Sequence, residues 1–184
     1  MRIIAGRFRG RKLASFDADH IRPTTDRVKE SIFNKLQGYF DGARVLDLFS
    51  GTGNLAFESL SRGATYVEAV EMSRKSIAII QKNIELLEIE KNEIRVVCDD
   101  VLKYLRSNKG PHFDVVLCDP PFTKAMADEV LKALADSPVV GPETIVMIEA
   151  SSHEVVGEKY GTLVRYDQKD YGDKKISYFQ REGS

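Results

Sequence analysis

The sequence predicts an α/β fold: one doubly wound, mostly parallel sheet that closes with an antiparallel hairpin. Three observations predict it. Short apolar runs at 43–48, 65–71, 93–98, 113–118 and 143–149 read as buried strands. Helical patterns near 54–62, 73–88, 100–107 and 124–135 fill the intervals, the alternation that a parallel sheet requires. After Ala150 the helical pattern stops. Thr162-Leu-Val-Arg-Tyr166 and Lys175-Ile-Ser-Tyr-Phe179 instead alternate like an antiparallel pair joined around Gly172.

Taken in order, the chain begins with a basic segment. Residues 2–16 read as a small β-hairpin turning around Arg7 to Gly10. Its first twelve residues carry Arg2, Arg7, Arg9, Arg11 and Lys12 and no acid. Such a cluster is a candidate phosphate grip, and Arg7, Arg9, Arg11 and Lys12 are its expected contacts. A solvated hairpin edge kept soluble by charge is the plainer alternative. The whole chain has 27 basic and 28 acidic side chains and a formal net charge of −1, so only local clusters can attract a polyanion. At 184 residues and 42% hydrophobic content it can bury roughly 70% of its unfolded surface without staples. One domain over 1–184 is expected, with 1–20 a basic appendage and 21–184 the core.

Residues 26–40 read as a helix with Val28, Ile32, Phe33, Leu36 and Phe40 on one face. Pro23 biases Arg22 towards an extended conformation, and Thr24 or Thr25 can cap the helix start. A hydroxyl-bearing helix start is an anion site, to which Arg22, Arg27 and Lys29 add charge.

Val45-Leu-Asp-Leu-Phe-Ser-Gly-Thr-Gly-Asn54 then runs an apolar strand into a glycine-rich turn, with a helix from about Asn54. Gly51 and Gly53 permit positive φ and close approach of a ligand to the backbone. Asp47 ends the strand where a carboxylate can face an ammonium or sulfonium group. The next strand ends at Glu71, where a ribose diol would be held. An acid followed by glycines at this spacing points to S-adenosylmethionine. A nicotinamide dinucleotide is the competitor, because Gly51-Thr-Gly53-Asn-Leu-Ala56 also fits G-x-G-x-x-A. Asp47 would repel a pyrophosphate but attract a cationic methionine moiety. The expected cofactor set is Asp47, Phe49, Ser50, Gly51, Thr52, Gly53, Glu71 and Met72, with Thr24 and Arg27 from the helix start. Glu71 can instead serve only as a helix N-terminal charge, since Ser73 is a plausible N-cap. Asp99-Asp100 ends the third strand, where either acid can cap the helix that follows; by resemblance to proteins of this fold class, one of the pair is expected at the cofactor's adenine.

Asp119-Pro-Pro-Phe122 follows the fourth strand. The Asp119 carboxylate and the Pro120 carbonyl can each accept one N–H of a ring-borne amino group. Pro120 and Pro121 fix the backbone and remove donors, and Phe122 offers a flat face for stacking. Holding both amino hydrogens draws the nitrogen lone pair towards an electrophile. An Asp-Pro-Pro turn closing a strand is the plainer reading. A nicotinamide enzyme has no evident use for this tetrapeptide.

The remaining residues say less. Cys98 and Cys118 fall at strand ends without a Cys/His cluster and are expected as free buried thiols. His20, His112 and His153 are scattered and suggest no triad or metal site. No signal peptide or membrane-spanning run is visible, so a cytoplasmic protein is expected. Lys174, Lys175 and Arg181 read as a solvated strand face.

The chain resembles the bacterial enzymes of the RsmD type, which methylate a guanine N2 amino group in 16S ribosomal RNA. The stretches that carry the resemblance are Arg2-Ile-Ile-Ala-Gly6, Gly10-Arg-Lys-Leu13, Arg22-Pro-Thr-Thr-Asp-Arg-Val-Lys-Glu-Ser-Ile-Phe-Asn34, Asp47 to Gly53 and Asp119 to Phe122. They come in the family's order and span essentially the whole domain. The resemblance implies a class I S-adenosylmethionine-dependent methyltransferase, a Rossmann-like, mostly parallel sheet with a C-terminal antiparallel hairpin. It implies methyl transfer at Asp119, Pro120, Pro121 and Phe122 onto a guanine flipped out of any duplex. 16S ribosomal RNA, within a small-subunit assembly particle, is the expected partner, with Arg22 added to the RNA contacts. No metal is required, and a monomer is expected. The tetrapeptide alone also serves adenine N6 and protein glutamine methylation, and a non-catalytic RNA-binding assembly factor could keep the same fold.

Overall fold

The computed structural model describes residues 1–16, 26–122 and 126–183. Arg22, Thr24 and His20 lie outside them. The elements are α1 (Asp26–Lys35), β1 (Arg44–Leu48), α2 (Asn54–Ser61), β2 (Tyr66–Glu71), α3 (Arg74–Leu87), β3 (Ile94–Cys98), α4 (Val101–Ser107), β4 (Phe113–Cys118), α5 (Ala127–Ala135), β5 (Val140–Ser151), β6 (Lys159–Tyr160), β7 (Leu163–Tyr171) and β8 (Lys174–Arg181). They form one sheet in the order β3-β2-β1-β4-β5-β8-β7-β6. The first five strands in that order are parallel, and β8 joins β5 antiparallel. The chain leaves β1 for β2 on one side and returns through β4 on the other. The strand order therefore reverses between β1 and β4, the crevice where open α/β sheets take their ligands.

Alternation along the central strands makes the two faces. Val45, Val115 and Leu117 pack with Ile32, Phe33, Phe57 and Ile80 under α1, α2 and α3. Leu46, Leu48, Val116 and Cys118 pack with Val101, Leu105, Leu131 and Leu134 under α4 and α5. Every expected strand is present, and β5 is longer than 143–149 because Val140 already pairs with Phe113 ahead of a register shift. The first helix stops at Lys35 rather than residue 40. Leu36 and Phe40 stay buried, but a turn carries them, with Gly38 at φ 94°. Cys118 is buried as expected, whereas Cys98 is exposed, because β3 is the sheet's edge.

The N-terminal segment does turn back on itself, but over a shorter pairing than 2–16. Arg2 and Lys12 form an antiparallel bridge, and the N–H groups of Ile3, Gly10 and Leu13 donate across it to the Arg11, Ile3 and Met1 carbonyls at 3.0, 2.9 and 3.1 Å. Beyond that pairing the backbone donors of the tip go to α2. The N–H groups of Ile4 and Ala5 donate to the two oxygens of Glu58, at 2.9 and 3.1 Å. Those of Arg7 and Phe8 donate to the carbonyl and hydroxyl of Ser61. Ile3 and Leu13 enter the core, so the segment is docked on α2. Lys29, expected to charge the helix start, is buried instead. Its Nζ donates to the Arg2 carbonyl at 2.6 Å and Asn54 Oδ1 at 2.9 Å, and lies 3.2 Å from Glu58 Oε2. Burial pulls its pKa down, and Glu58 opposes that shift. One ammonium thus joins the arm, α1 and α2.

Candidate active site at the carboxyl ends of the parallel strands

The glycine-rich turn leaves β1 through three consecutive alternations of handedness. Phe49, Gly51 and Gly53 all take positive φ, at 60°, 57° and 86°. Phe49 is the unexpected one, since a bulky residue there stores backbone strain, which clusters at functional sites. Asp47 braces the turn from within. Its Oδ2 accepts from the Ser50 hydroxyl at 2.6 Å and from the Ala56 N–H at 3.0 Å. It therefore caps the first turn of α2, whose N-cap, Gly53, has no side chain to offer. Burial pushes the Asp47 carboxyl up to about 7, against the pull of these two bonds.

Glu71, ending β2, ties this turn to the next helix. Its Oε2 accepts from the Gly51 N–H at 2.9 Å and its Oε1 from the Ser73 N–H at 2.7 Å. A carboxylate oxygen has a second lone pair, so both can still accept from a ligand. Ser73 caps α3 through the Ser76 N–H. Met72 stands 64% exposed beside Glu71, an apolar surface at the lip of the turn. The two glycines differ. A Cβ on Gly51 would meet nothing nearer than the Phe49 carbonyl at 4.0 Å, whereas one on Gly53 would fall 2.4 Å from the Phe57 ring. Gly51 faces open space and Gly53 faces packing. Thr52 is buried, and its carbonyl accepts from Asn83 Nδ2.

Of the two acids after β3, Asp100 is the cap: its carboxylate accepts from the Lys103 N–H at 3.0 Å. Asp99 pairs with Lys103 Nζ at 2.9 Å, and that bond holds its carboxyl below the ordinary range. Both sit beside Met72, since Glu71 and Cys98 are register partners.

Asp119-Pro-Pro-Phe122 follows β4, one strand away from the glycine turn. Leu48 and Cys118 are register partners, and the Asp119 N–H reaches the Leu48 carbonyl at 3.4 Å. Pro120 is buried, Pro121 exposed and Phe122 half-buried. The structure thus brings Asp47, Gly51, Glu71 and Asp119 to the ends of three adjacent strands.

Beneath Phe122 lies a group that sequence reasoning misplaced. Lys174 is buried rather than solvated: it forms an ion pair with buried Glu149 and sets its Nζ 5.2 Å from the Phe122 ring centroid. Lys175 donates to the Glu154 carbonyl and Arg181 to the Val140 carbonyl, so neither is a free solvated charge. The available signal was Glu149 itself, an acid ending the apolar run Ile145–Ile148, which demands a counter-ion.

The basic residues of the arm lie elsewhere. Arg7 pairs with Glu93, and Arg11 Nη2 donates to the Leu86 carbonyl at 2.6 Å. Ser61, Leu86 and Glu93 all belong to the ends of elements that precede strand starts, so the tip of the arm faces away from Asp119. Arg9 and Lys12 are exposed. Arg27 is not with the glycine turn. It lines a groove of about 640 Å³ between α1 and β7, with Ser31, Lys169 and Tyr171. Among the described residues no cluster has the makings of a metal site, and no helix is long and apolar enough to cross a membrane.

Comparison with known proteins agrees across sequence and fold. A family model described as "Conserved hypothetical protein 95" matches residues 1–180. A protein of Haemophilus influenzae named "Ribosomal RNA small subunit methyltransferase D" is 37% identical over 150 residues, 81% of this chain and 78% of the relative. Its namesake in Escherichia coli K12 is 33% identical over 182 residues, covering 99% and 90% of the two chains. The solved structure of "Putative methyltransferase yhhF from Escherichia coli" superimposes with a TM-score of 0.88 at 32% identity, covering 100% of this chain and 99% of that one. The shared architecture is that of the class I methyltransferases.

Proposed function

The chain belongs to the family described as "Conserved hypothetical protein 95", the RsmD family that its motifs resemble; from that premise we propose that it methylates small-subunit ribosomal RNA with S-adenosylmethionine, at the N2 amino group of a guanine. The observation that carries this reading is the juxtaposition of the glycine turn and Asp119 at the ends of paired strands β1 and β4. A donor cradled by the first lies beside an acceptor held by the second.

The residues fit the cofactor. Gly51 keeps open space, Met72 offers an apolar face, and each Glu71 oxygen retains a lone pair for a diol hydroxyl. Asp47 contributes negative potential from below the turn, and a cationic ligand favours its ionised form. When bound, S-adenosylmethionine supplies an electrophilic methyl carbon.

The protein's task is then to position and desolvate. The Asp119 carboxylate and the Pro120 carbonyl accept the two amino hydrogens, so the nitrogen lone pair leaves conjugation and turns towards the cofactor. Phe122 stacks on the base, which must come from a loop or be flipped out of a duplex. As a carbon–nitrogen bond formed and the carbon–sulfur bond broke, its electron pair returning to sulfur in S-adenosylhomocysteine, Asp119 would stabilise the positive charge on the nitrogen. The extra proton would then pass to solvent. RNA phosphates would be met by Arg9 and Lys12, the two cations of the arm that carry no internal partner among the described residues.

Mass spectrometry of small-subunit RNA from a deletion strain tests the proposal. Loss of one N2-methylguanine, restored by the wild-type gene and not by Asp119→Ala, is the expected result. An unchanged guanine inventory, or loss of a methyl group from adenine or from a protein glutamine, would overturn the guanine assignment.

A further inference from the structure

The ion pair between Lys174 and Glu149 has no part in the chemistry just described, yet it is buried a few ångströms from it. Burying two opposite charges is weak support for stability, because desolvation of both offsets most of their attraction. An apolar pair of similar volume would hold β5 to β8 as well. Its location offers another explanation. Ile148 is the register partner of Cys118, so Glu149 lies alongside Asp119 at the ends of neighbouring strands. Lys174 begins β8 opposite Ser151, which brings its ammonium over Glu149 from the far side. That ammonium also faces the Phe122 ring at 5.2 Å from its centroid, within range of a cation–π attraction that grows as water is excluded.

We propose that Lys174, anchored by Glu149, is a positioning residue for the acceptor base: it fixes the Phe122 ring from one face, so that the other face is presented for stacking. The inference rests on Asp119-Pro-Pro-Phe122 being the amino-group clamp. A ring held on one side by a fixed cation cannot rotate away when the base arrives, and the turn that carries it inherits that order. Lys174 also sets a positive charge against Glu149, whose carboxylate Asp119 would otherwise repel. Burial and the nearness of Asp119 both push the Glu149 carboxyl upward, and Lys174 opposes them.

Lys174→Met, Lys174→Arg, Phe122→Leu and the Lys174→Met/Phe122→Leu double variant should be compared on RNA. Lys174→Met alone strands the Glu149 carboxylate, so Glu149→Leu/Lys174→Met is included as a variant that removes both charges and keeps the volume. Both Met variants are expected to lower kcat/KM for RNA by up to about a hundredfold, the scale for a reacting group misplaced by an ångström. S-adenosylmethionine affinity should be unchanged. Lys174→Arg, which keeps a cation over the ring, should restore most of the activity. Adding Lys174→Met to Phe122→Leu should cost nothing further, since coupled residues are not additive. A fluorinated phenylalanine at position 122 gives a readout that needs no substrate: its fluorine resonance should broaden or shift in the Met variants and not in Lys174→Arg. Folded Met variants with wild-type kcat/KM and an unmoved fluorine signal would overturn the proposal, as would losses that simply multiply in the double variant. A wild-type protein inactive on RNA would overturn the function instead, and the fluorine spectra would still decide whether Lys174 holds Phe122.

Discussion

Beside β1 and β2 the site is held by near neighbours: Asp47 takes Ser50 and Ala56, 3 and 9 positions along, and Glu71 takes Gly51, 20 positions back. Beside β4 the support comes from far away, for Lys174 belongs to β8 and its counter-ion is 25 positions behind it. The cofactor half is a local structure, made of backbone donors satisfied by adjacent carboxylates. The proposed acceptor half gains the cation beneath Phe122 only when β5 and β8 have paired. One is a property of a segment, the other of the sheet.

The largest effect that separates the halves should come from Asp119→Ala. Turnover in single-turnover assays should fall by roughly 10²–10³, the scale for losing one preorganised polar contact to the reacting centre. Cofactor affinity, measured by calorimetry, should stay close to wild type. A parallel collapse of both would mean that the two halves are one unit.

A smaller effect divides the cofactor half internally. Gly51→Val and Gly53→Val both incur the left-handed backbone cost, about 1–2 kcal/mol. Only the second also drives a side chain into the Phe57 ring, adding about 1–3 kcal/mol of overpacking. Both should lose S-adenosylmethionine binding, but Gly53→Val should melt well below Gly51→Val. Wild-type cofactor affinity in Gly51→Val would show that the open space at that position is not the ligand's approach.

The smallest effect concerns Asp47, whose carboxyl burial holds at about 7. A carboxyl raised in the folded state contributes stability below its unfolded pKa and loses that contribution as pH rises through the folded one. Asn does not titrate. The melting temperature of Asp47→Asn should therefore gain on wild type between about pH 4 and about pH 7. A gap that does not change with pH would mean that Asp47 is already ionised in the folded protein.

The same contrast decides what the sequence could say. The parallel strands and the turn from Asp47 to Gly53 were legible because each is written within a short stretch, by apolar runs and by glycines where positive φ is needed. The left-handed Phe49 was not, since no composition rule asks for it. Lys174 and Lys175 alternate in a strand, so one had to face inward. Choosing between them required knowing that β8 lies against β5 with Glu149 beneath. The arm reads as a hairpin because its own residues alternate well enough, and residues 1–3 do pair with 10–13. Its tip is held instead by Glu58 and Ser61, which only the packing of α2 brings within reach.

The strand order has a consequence for the chain as it is made. β8 lies between β5 and β7, although it is synthesised after both. A ribosome that has released everything up to β7 has already delivered the glycine turn, Glu71 and Asp119. Glu149 at that moment has no counter-ion, β7 has no neighbour in the sheet except short β6, and Phe122 has nothing beneath it. Threading β8 into place supplies all three at once. Synthesis thus delivers the residues around the glycine turn early and the cation beneath Phe122 last, so the surroundings of Phe122 are complete only once the final strand has been inserted.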